Sequence, residues 1–312
     1  MLLKSADDKE SQVGILKNLL NHERIPADKK QQIEKELRNL TAGIASEKQA
    51  AYDIDFYFGP SKNVAVIHDL RLEINGRVAQ IDHLLMNRAF DVFALETKTY
   101  RSGLSINENG EFTTSYDGRE IGISSPIEQN NRHITVLRDA FKQIGLPTRL
   151  GIPIPPAYHP VVLVSPKGVI NRPKKSKIDL NSIVKSDQFF SWYKEKLDET
   201  KVSDVVGILK ICSSSTIKEV AEKLVALHQP GRIDYIKKFN LADSLLKKEV
   251  PAAEVTVAPQ SSKAYQGDIK ENSRYYCAAC RKSIAEVVAK FCWNNHQRFG
   301  GKAYCRSCQS KY

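Results

Sequence analysis

The first forty residues alternate charged and apolar positions at the spacing of an α-helix. Their apolar positions form two groups, which are Ile15, Leu16, Leu19 and Leu20, and Ile33, Leu37 and Leu40. Pro26 separates the groups, and the charges on the other face nearly balance, so the pattern predicts a solvated helical hairpin. A third helix is predicted from about Thr41 to Asp53, and it contains Glu47.

From Asn63 onward the apolar residues recur at every second position, and β-forming residues dominate. Three such runs follow one another, NVAVIHDLRL, GRVAQIDHLLM and FDVFALETKTY. Asn75-Gly76 lies between the first two runs, and this dipeptide favours the tight turn of a β-hairpin. The glycine- and asparagine-rich stretch from Ser102 to Gly122 predicts a loop and a further short hairpin.

A helix is predicted to begin directly after this stretch. Ser125 is placed to cap it, Pro126 suits its first position, and Glu128 stands three residues after the cap, as in a capping box. Gly145 ends the helix, and the short apolar run from Pro160 to Val164 is typical of a buried strand. Strands followed by a helix and a further strand predict an α/β fold, with a mixed sheet flanked by helices.

The helical period returns between residues 180 and 249, where the expected buried positions are Val206, Leu209, Val220, Leu224 and Leu227. The next segment has few large apolar residues and is rich in alanine, proline, serine and glutamine, which is typical of a linker. We therefore predict an N-terminal helical segment (1–40), an α/β core (41–165), a mainly helical segment (166–249), a linker (250–274) and a C-terminal module (275–312).

Composition narrows the class of protein. The 312 residues, 41% of them apolar, suffice for packed domains, which excludes a wholly disordered chain. No apolar run has the length of a membrane span and no export signal is evident, so we expect a soluble, cytoplasmic protein. A net charge of +11, about half of it in residues 275–312, favours a polyanionic partner such as nucleic acid.

Two acids and a lysine fall on neighbouring strands of the predicted sheet. Glu96 and Lys98 are two residues apart and project from the same strand face, and Asp82 lies on the preceding strand. Phosphodiester hydrolysis needs a divalent cation on oxygen ligands, an activated water and positive charge for the transition state. Asp82 and Glu96 are candidate ligands of Mg²⁺, and Lys98 is a candidate to orient the water. A solvated sheet edge is the structural alternative, because the same pattern is common there.

Several motifs in order resemble the nuclease-related domain (NERD), a branch of the PD-(D/E)xK nuclease superfamily. They lie between Gly43 and Val164 and comprise GIASEKQA, His68-Asp69-Leu70, QIDHLL at residues 80–85, ETKTY at residues 96–100 and PIEQNN at residues 126–131. The resemblance covers about two fifths of the chain. It implies a restriction-endonuclease-like core.

The resemblance also implies roles for single residues. Asp82 and Glu96 would hold Mg²⁺ or Mn²⁺, and Lys98 would be the catalytic lysine. Gln129 matches a glutamine that the family places near the same site. Glu47 matches an acidic residue of the first core helix, which is a further metal or water contact.

Three other residues have structural interpretations. His83, on the opposite strand face from Asp82, is expected to pack or hydrogen-bond in the core. His133 shares a helix face with Gln129 and fits a structural polar contact. Cys212, on a predicted helix among apolar residues, is expected to be a small buried hydrophobe.

Five of the six cysteines lie in the C-terminal module. Four of them form two C-x2-C pairs separated by 24 residues, Cys277 with Cys280 and Cys305 with Cys308. Each pair places two thiolates on one tight turn, so the four predict a structural Zn²⁺ site, and the module resembles a small zinc ribbon. Cys292 and His296 are alternative ligands, although a buried thiol and a surface imidazole explain them without metal.

Basic and aromatic residues are interleaved in this module. The aromatic ones are Tyr276, Phe291, Trp293, Phe299 and Tyr304. Such residues stack on bases while cations contact phosphates, but in so small a module we expect most of them to form the core. A second basic cluster follows the strand at Val164 and either borders a phosphate groove or is a solvated loop; it comprises Lys167, Arg172, Lys174, Lys175 and Lys177.

Two functional hypotheses follow. The first is a metal-dependent nuclease that acts on DNA or RNA, with a zinc module that aids binding. The second is a catalytically inactive, nuclease-like fold that binds nucleic acid or a protein. The presence of Asp82, Glu96 and Lys98 favours the enzyme, because an inactive domain would usually lose one of the three.

Overall fold

The computed structural model describes residues 1–100, 102–116, 118–201, 211–231, 233–241, 275–284 and 286–309. Its contacts divide the chain into two compact units, Met1–Lys248 and Glu249–Tyr312. Val206, Leu209 and the predicted linker lie outside the described residues.

The described residues form the following strands and helices. In chain order the strands are β1 (Leu2–Lys4), β2 (Val64–Ile74), β3 (Arg77–Asn87), β4 (Asp91–Lys98), β5 (Leu104–Ile106), β6 (Phe112–Tyr116), β7 (Arg119–Ile123), β8 (Thr148–Arg149), β9 (Ile152–Pro153), β10 (Ala157–Val164), β11 (Ile170–Asn171), β12 (Ile183–Lys185), β13 (Tyr275–Tyr276) and β14 (Ser283–Ile284). The helices are α1 (Glu10–Leu20), α2 (Ala27–Phe58), α3 (Pro126–Ile144), α4 (Phe189–Lys201), α5 (Ser214–Ala226), α6 (Tyr235–Lys238), α7 (Glu286–Asn294), α8 (His296–Phe299) and α9 (Arg306–Gln309).

A six-stranded mixed sheet forms the centre of the first unit, in the order β1-β2-β3-β4-β10-β12. β2, β3 and β4 form an antiparallel meander, whereas β1, β10 and β12 pair in parallel with their neighbours. β5, β6, β7 and β11 form a second sheet of four strands. The predicted α/β class with a mixed sheet flanked by helices is confirmed.

Helices cover both faces of the central sheet. The C-terminal half of α2 packs Ala50, Ile54 and Phe58 against one face. On the other face, α3 and α5 bury an apolar stripe against the strands, Ile134, Leu137 and Phe141 from α3 and Ile217, Val220 and Leu224 from α5. Burial of these stripes supplies the main driving force for the layered arrangement. No helix in the described part of the chain has both the length and the apolar character of a membrane span.

The prediction of a separate third helix near Thr41 is wrong. α2 is one continuous helix of 32 residues from Ala27 to Phe58. No proline interrupts this stretch, and the Thr41 hydroxyl donates a hydrogen bond to the Leu37 carbonyl one turn earlier (2.7 Å), a bond that fits within the helix. Glu47 therefore lies in the middle of a long helix.

The hairpin of β2 and β3 turns where the sequence predicts it. Asn75 and Gly76 have φ values of 51° and 70°, as a type I′ turn requires, and Ile74 pairs with Arg77. The hairpin also contains a break in strand alternation: Ile67 and Leu70 pack into the same core cluster, although residues three apart should face opposite ways. Asp69 is the break, with a φ of 54°.

α3 begins as predicted. The Ser125 hydroxyl accepts a hydrogen bond from the Glu128 backbone N–H (3.2 Å), and Pro126 occupies the first helical position. The predicted capping box is only half formed, because the Glu128 carboxylate accepts a hydrogen bond from Asn131 Nδ2 (3.3 Å) in place of one from the Ser125 N–H. At the other end Gly145 has a φ of 79°, a conformation that ends the helix at little steric cost.

Cys212 is buried, as expected, but it does not lie on a helix. It belongs to the short segment before α5, where its backbone N–H donates to the Arg88 carbonyl (2.7 Å). Ser213 follows as the cap of α5, accepting a hydrogen bond from the Thr216 backbone N–H. The cap explains the difference, because a helix that begins at Ser214 leaves Cys212 outside it.

The second unit is small. β13 and β14 form an antiparallel pair, and α7, α8 and α9 follow them. Its core contains few large side chains, and the buried members are Cys277, Ile284, Ala289, Cys292, Phe299 and Tyr304. So little apolar surface is typical of a domain that needs a metal or a disulfide for stability.

Candidate active site and candidate metal centre

The candidate site residues come from four elements of the first unit. Asp82 lies on β3, Glu96 and Lys98 on β4, Gln129 on α3 and Glu47 on α2. The sheet geometry brings the first three together, because β3 and β4 pair with His83 opposite Leu95.

Glu96 is the most constrained of these groups. Only 4% of it is exposed, and its Oε1 receives Lys98 Nζ at 2.8 Å and Gln129 Nε2 at 2.7 Å. Its Oε2 is buried and has no hydrogen-bond partner among the described residues. His133 Nδ1 lies 3.4 Å from this oxygen, and it is also buried without a hydrogen bond. Lys98 and Gln129 thus hold one oxygen of Glu96, whereas the other has only the longer contact with His133.

The charges around Glu96 decide its ionisation. Burial alone would raise the pKa of this carboxyl, but the neighbouring His133 imidazole and Lys98 ammonium outweigh burial and lower the pKa below its usual value. Glu96 is therefore a carboxylate at neutral pH.

Asp82 is partly buried beside Glu96. Its Oδ2 accepts a hydrogen bond from the Thr97 backbone N–H (2.7 Å). Burial, followed by the negative charges of Glu96 and Glu47, raises the pKa of Asp82 well above its usual value. Burial and the neighbouring carboxylates thus both disfavour the charged form of Asp82, and a bound cation would favour it.

Glu47 extends toward the same site from α2, but its carboxylate is already paired with a lysine. Lys9 Nζ lies 2.6 Å from Glu47 Oε2 and 3.7 Å from Asp69 Oδ1. Burial opposes the charge on Lys9, yet the carboxylates of Glu47, Asp69 and Asp82 raise its pKa above the usual value. Burial also raises the pKa of Glu47, against the opposing contact with Lys9.

Asp69 faces the site from the break in β2. It falls between the pairs His68 with His83 and Leu70 with Ile81, so its position in the ladder is opposite Asp82. Only 2% of it is exposed, and its carboxylate accepts hydrogen bonds from the Gln80 side chain and the Asp7 backbone N–H.

Sequence reasoning assigned no catalytic role to Lys9, Asp69 or His133. Lys9 lies outside every motif and approaches Glu47 only through the packing of α1 on α2. Asp69 stands in a motif, but its left-handed backbone cannot be read from a period-two pattern. The sequence pattern puts His133 on the correct helix face, one turn after Gln129. The structure adds its partner, which is Glu96.

His83 is a core residue, as expected. It is 1% exposed, and its Nδ1 lies 2.8 Å from Nδ1 of His68. His68 Nε2 in turn lies 3.0 Å from Asp55 Oδ1. Burial, and then the neighbouring His68, hold the pKa of His83 well below its usual value, so this ring stays neutral.

The arrangement of oxygen ligands limits the kind of metal site. Within the described residues, one group of three or more candidate metal ligands is found, and it consists of four cysteines whose ligand atoms lie within 4.8 Å of one another. Asp82 and Glu96 on their own would make a site of two carboxylates. Mg²⁺ suits such a site, because it keeps several water ligands and binds through one or two carboxylates.

The four-cysteine cluster consists of Cys277, Cys280, Cys305 and Cys308. The Sγ atoms of Cys280 and Cys305 are 3.6 Å apart, and a tetrahedral Zn²⁺ with bonds of about 2.3 Å separates its sulfurs by about 3.8 Å. Burial would raise the pKa of Cys277, but backbone N–H groups near the thiolate lower it to about 6. The cluster matches what a zinc ion requires.

Cys292 is separate from this cluster. It is fully buried, and its Sγ accepts hydrogen bonds from the Tyr304 backbone N–H and from Gln309 Nε2, each at 3.3 Å. The prediction of a buried thiol is confirmed. The side chain of His296 lies outside the described residues.

The expectation that most aromatic residues of this module form its core is wrong. Phe299 and Tyr304 are buried, but Tyr276, Phe291 and Trp293 are 62%, 49% and 41% exposed. Buried aliphatic and cysteine side chains fill the core in their place. Three aromatic rings on so small a surface are available for contact with a partner.

The basic cluster after β10 adjoins the strand that carries Lys98. Ser165 donates its backbone N–H to the Lys98 carbonyl (3.2 Å), which ties the start of this loop to the end of β4. The side chains of Lys167, Arg172, Lys174, Lys175 and Lys177 are exposed. Lys177 Nζ donates to Asn109 Oδ1 (2.7 Å), so part of the loop rests on the turn between β5 and β6.

One family model matches part of the chain. Residues 42–165 match the family model of the nuclease-related domain, which confirms the resemblance found from Gly43 to Val164. The match covers less than half of the 312 residues. Neither the curated proteins nor the solved structures contain a significant match to the chain.

Proposed function

We propose that this protein is a metal-dependent nuclease of the PD-(D/E)xK type, which hydrolyses phosphodiester bonds of DNA with Asp82, Glu96 and Lys98. The proposal rests on the hydrogen bonding of the two Glu96 carboxylate oxygens. Two donors, Lys98 and Gln129, hold its Oε1, while its Oε2 is buried without a hydrogen bond. An unpaired carboxylate oxygen is costly to bury unless a ligand completes it.

The residues present fit a divalent cation. Glu96 Oε2 has no hydrogen bond among the described residues, and burial, followed by the charges of Glu96 and Glu47, raises the pKa of the neighbouring Asp82. Carboxylate oxygens suit Mg²⁺ and Mn²⁺, so Asp82 and Glu96 would hold the ion. When bound, such an ion polarises the phosphate and lowers the pKa of a coordinated water.

The protein's own groups then have distinct tasks. The Thr97 N–H fixes one oxygen of Asp82, and Lys98 and Gln129 fix one oxygen of Glu96, so both carboxylates keep a set orientation. The Lys98 ammonium stabilises the negative charge that develops as water adds to phosphorus and the P–O ester bond breaks. Glu47 does not hold the ion in this arrangement, because Lys9 engages it.

The cysteine module would bind Zn²⁺ and contact the nucleic acid. Its Sγ geometry supports the metal, and the exposed rings of Tyr276, Phe291 and Trp293 support stacking on unpaired bases. The basic loop after β10 would contact phosphates close to the reactive bond, since it follows the strand end beside Lys98.

A cleavage assay tests the proposal. Zinc-loaded full-length protein is incubated with labelled single- and double-stranded DNA and RNA, with Mg²⁺, with Mn²⁺ or without added divalent ion. We expect ion-dependent cleavage of DNA that Glu96→Gln abolishes and that Glu120→Gln, a change at an exposed glutamate of β7, preserves. Cleavage by Glu96→Gln at the wild-type rate would refute the site.

A nucleic-acid-binding module without catalysis is the second candidate, and the exposed aromatic residues of the cysteine module favour it. The same assay separates the two. Binding of every substrate with no cleavage under either ion would replace the nuclease with this alternative.

A further inference from the structure

Lys9 lies within the acidic cluster, although it comes from a different part of the chain. It is the residue before α1, and its ammonium contacts Glu47 on α2 and Asp69 on β2. The side chain is 19% exposed, and those of Glu47 and Asp69 are 24% and 3% exposed. These side chains are mostly shielded from water, so their charges interact more strongly than those of a surface ion pair.

The backbone around Lys9 is anchored to the same site. Lys4 Nζ donates to the carbonyls of His68 and Asp69, each at 3.1 Å, and to Asp7 Oδ1 at 2.7 Å. Asp7 in turn donates its N–H to Asp69 and contacts His228 Nε2 at 3.0 Å. Lys9 is therefore held in place by its segment, and its position does not depend on a single flexible side chain.

A count of charges shows how many divalent ions the cluster can balance. When all four acids are ionised, the carboxylates of Glu47, Asp69, Asp82 and Glu96 face two ammonium groups, Lys9 and Lys98, with the His133 imidazole beside Glu96. The carboxylates then exceed the ammonium groups by two negative charges, which one divalent cation balances. A second divalent ion would leave the site with excess positive charge before the substrate phosphate arrives.

We propose that Lys9 takes the position of a second divalent cation, so that the site binds a single ion at Asp82 and Glu96. This inference rests on the proposed function, because it assumes the ion described there. Nucleases with two ions hold them about 3.5–4 Å apart and use the second one to balance charge beside the first. Here the Lys9 ammonium supplies that charge, and Glu47 and Asp69 position Lys9 and do not bind metal.

Counting bound Mn²⁺ tests the inference without measuring activity. Full-length protein with its cysteine cluster loaded with Zn²⁺ is titrated with Mn²⁺, and free Mn²⁺ is followed by electron paramagnetic resonance and calorimetry. We expect one Mn²⁺ per wild-type chain, and its loss in Asp82→Asn. Lys9→Gln should bind a second Mn²⁺, because Glu47 and Asp69 lose their cation.

Matched variants make the count specific. Lys17→Gln removes one positive charge from an exposed position on the same helix and should still bind one Mn²⁺, and Lys9→Arg, which keeps the charge, should do the same. Glu47→Gln should also keep one ion, whereas loss of the ion in that variant would make Glu47 a metal ligand and overturn the inference. This last variant is informative even if Lys9→Gln fails to fold.

The outcomes separate the inference from the proposed function. An unchanged count in folded Lys9→Gln, or two ions in the wild type, would overturn the role of Lys9 and leave the nuclease intact. Absence of any Asp82-dependent ion would overturn both, since the proposed hydrolysis needs that ion.

Discussion

The two candidate metal sites of this protein are built in opposite ways. The carboxylate site draws side chains from β3, β4, α2 and α3, and its residues are embedded in a unit with a large apolar core. The cysteine site draws all its ligands from the turn after β13 and from the start of α9, in a unit whose core has few large side chains. Packing therefore holds the first site before any metal binds, whereas we expect the second unit to depend on a metal for its stability.

This difference has a consequence for energetics. In the carboxylate site, burial and then repulsion by Glu96 and Glu47 raise the pKa of Asp82, so the ionised site carries an electrostatic cost that an ion would relieve. In the cysteine site, the free energy of metal binding would itself be folding free energy. Removal of metal should therefore reduce activity at the carboxylate site, whereas it should unfold the unit that contains the cysteine site.

The largest expected effect is on the cysteine module. Loss of Zn²⁺ through Cys305→Ser should unfold residues 275–309, because structural zinc supplies roughly 10 kcal/mol or more to such modules. Hydrogen exchange of that segment measures the change, and the first unit should keep its protection. Cys292→Ala is the matched control and should keep one bound Zn²⁺, since that thiol is not in the cluster. If this segment stays protected from hydrogen exchange without zinc, the cysteine module does not need its metal to fold, and the two sites do not differ in this way.

Asp82→Asn should lower the cleavage rate by roughly 10²–10⁴-fold, the range expected when charge stabilisation of the transition state is lost. It should also stabilise the metal-free protein by about 1 kcal/mol. The sign follows from the raised native pKa: the carboxyl favours the fold while protonated, and this contribution is lost as the pH rises through that pKa. Thermal unfolding at neutral pH in a chelator measures the gain. If Asp82→Asn is less stable than the wild type in this experiment, the ionised Asp82 carboxylate does not destabilise the metal-free fold.

Much of this contrast is visible in the sequence. The period-two runs, the Asn75-Gly76 turn and the Ser125 cap predict their elements because each depends on neighbours in the chain. The cysteine spacing predicts its cluster for the same reason. Local chemistry is what a single sequence records best.

Other features depend on contacts between distant segments. Lys9 meets Glu47 across 38 residues, and no local pattern marks that pair. β1 has three residues and exists because β2 offers it an edge to pair with. The exposure of Trp293 reflects which side chains fill a small core, and composition alone does not decide this.

A smaller effect is expected from the residue that holds Glu96 from α3. Gln129→Ala should reduce Mn²⁺ affinity or the cleavage rate by roughly 10–100-fold, because it removes a donor that orients a metal ligand. Asn131→Ala lies on the exposed side of the same helix and should have no effect. Equal losses in both variants would indicate general damage to α3.

The smallest effect should come from the aromatic surface of the cysteine module. Trp293→Ala should weaken binding of single-stranded DNA by about 1–2 kcal/mol with little change in salt dependence, because it removes stacking and not charge. Lys302→Ala should instead lower the slope of log affinity against log salt by about one. Fluorescence anisotropy over a salt series measures both. If Trp293→Ala changed only the slope, the stacking role would be wrong.

The proposed hydrolysis depends most on Lys98, whose ammonium would stabilise the transition state. The most direct measurement is single-turnover cleavage of bound DNA by Lys98→Met, which keeps the apolar stem of the side chain and removes its ammonium. At saturating Mn²⁺ we expect this variant to bind DNA with near wild-type affinity but to cleave it roughly 10²–10⁴ times more slowly. Cleavage at the wild-type rate by the folded variant would show that the Lys98 ammonium is not needed for hydrolysis.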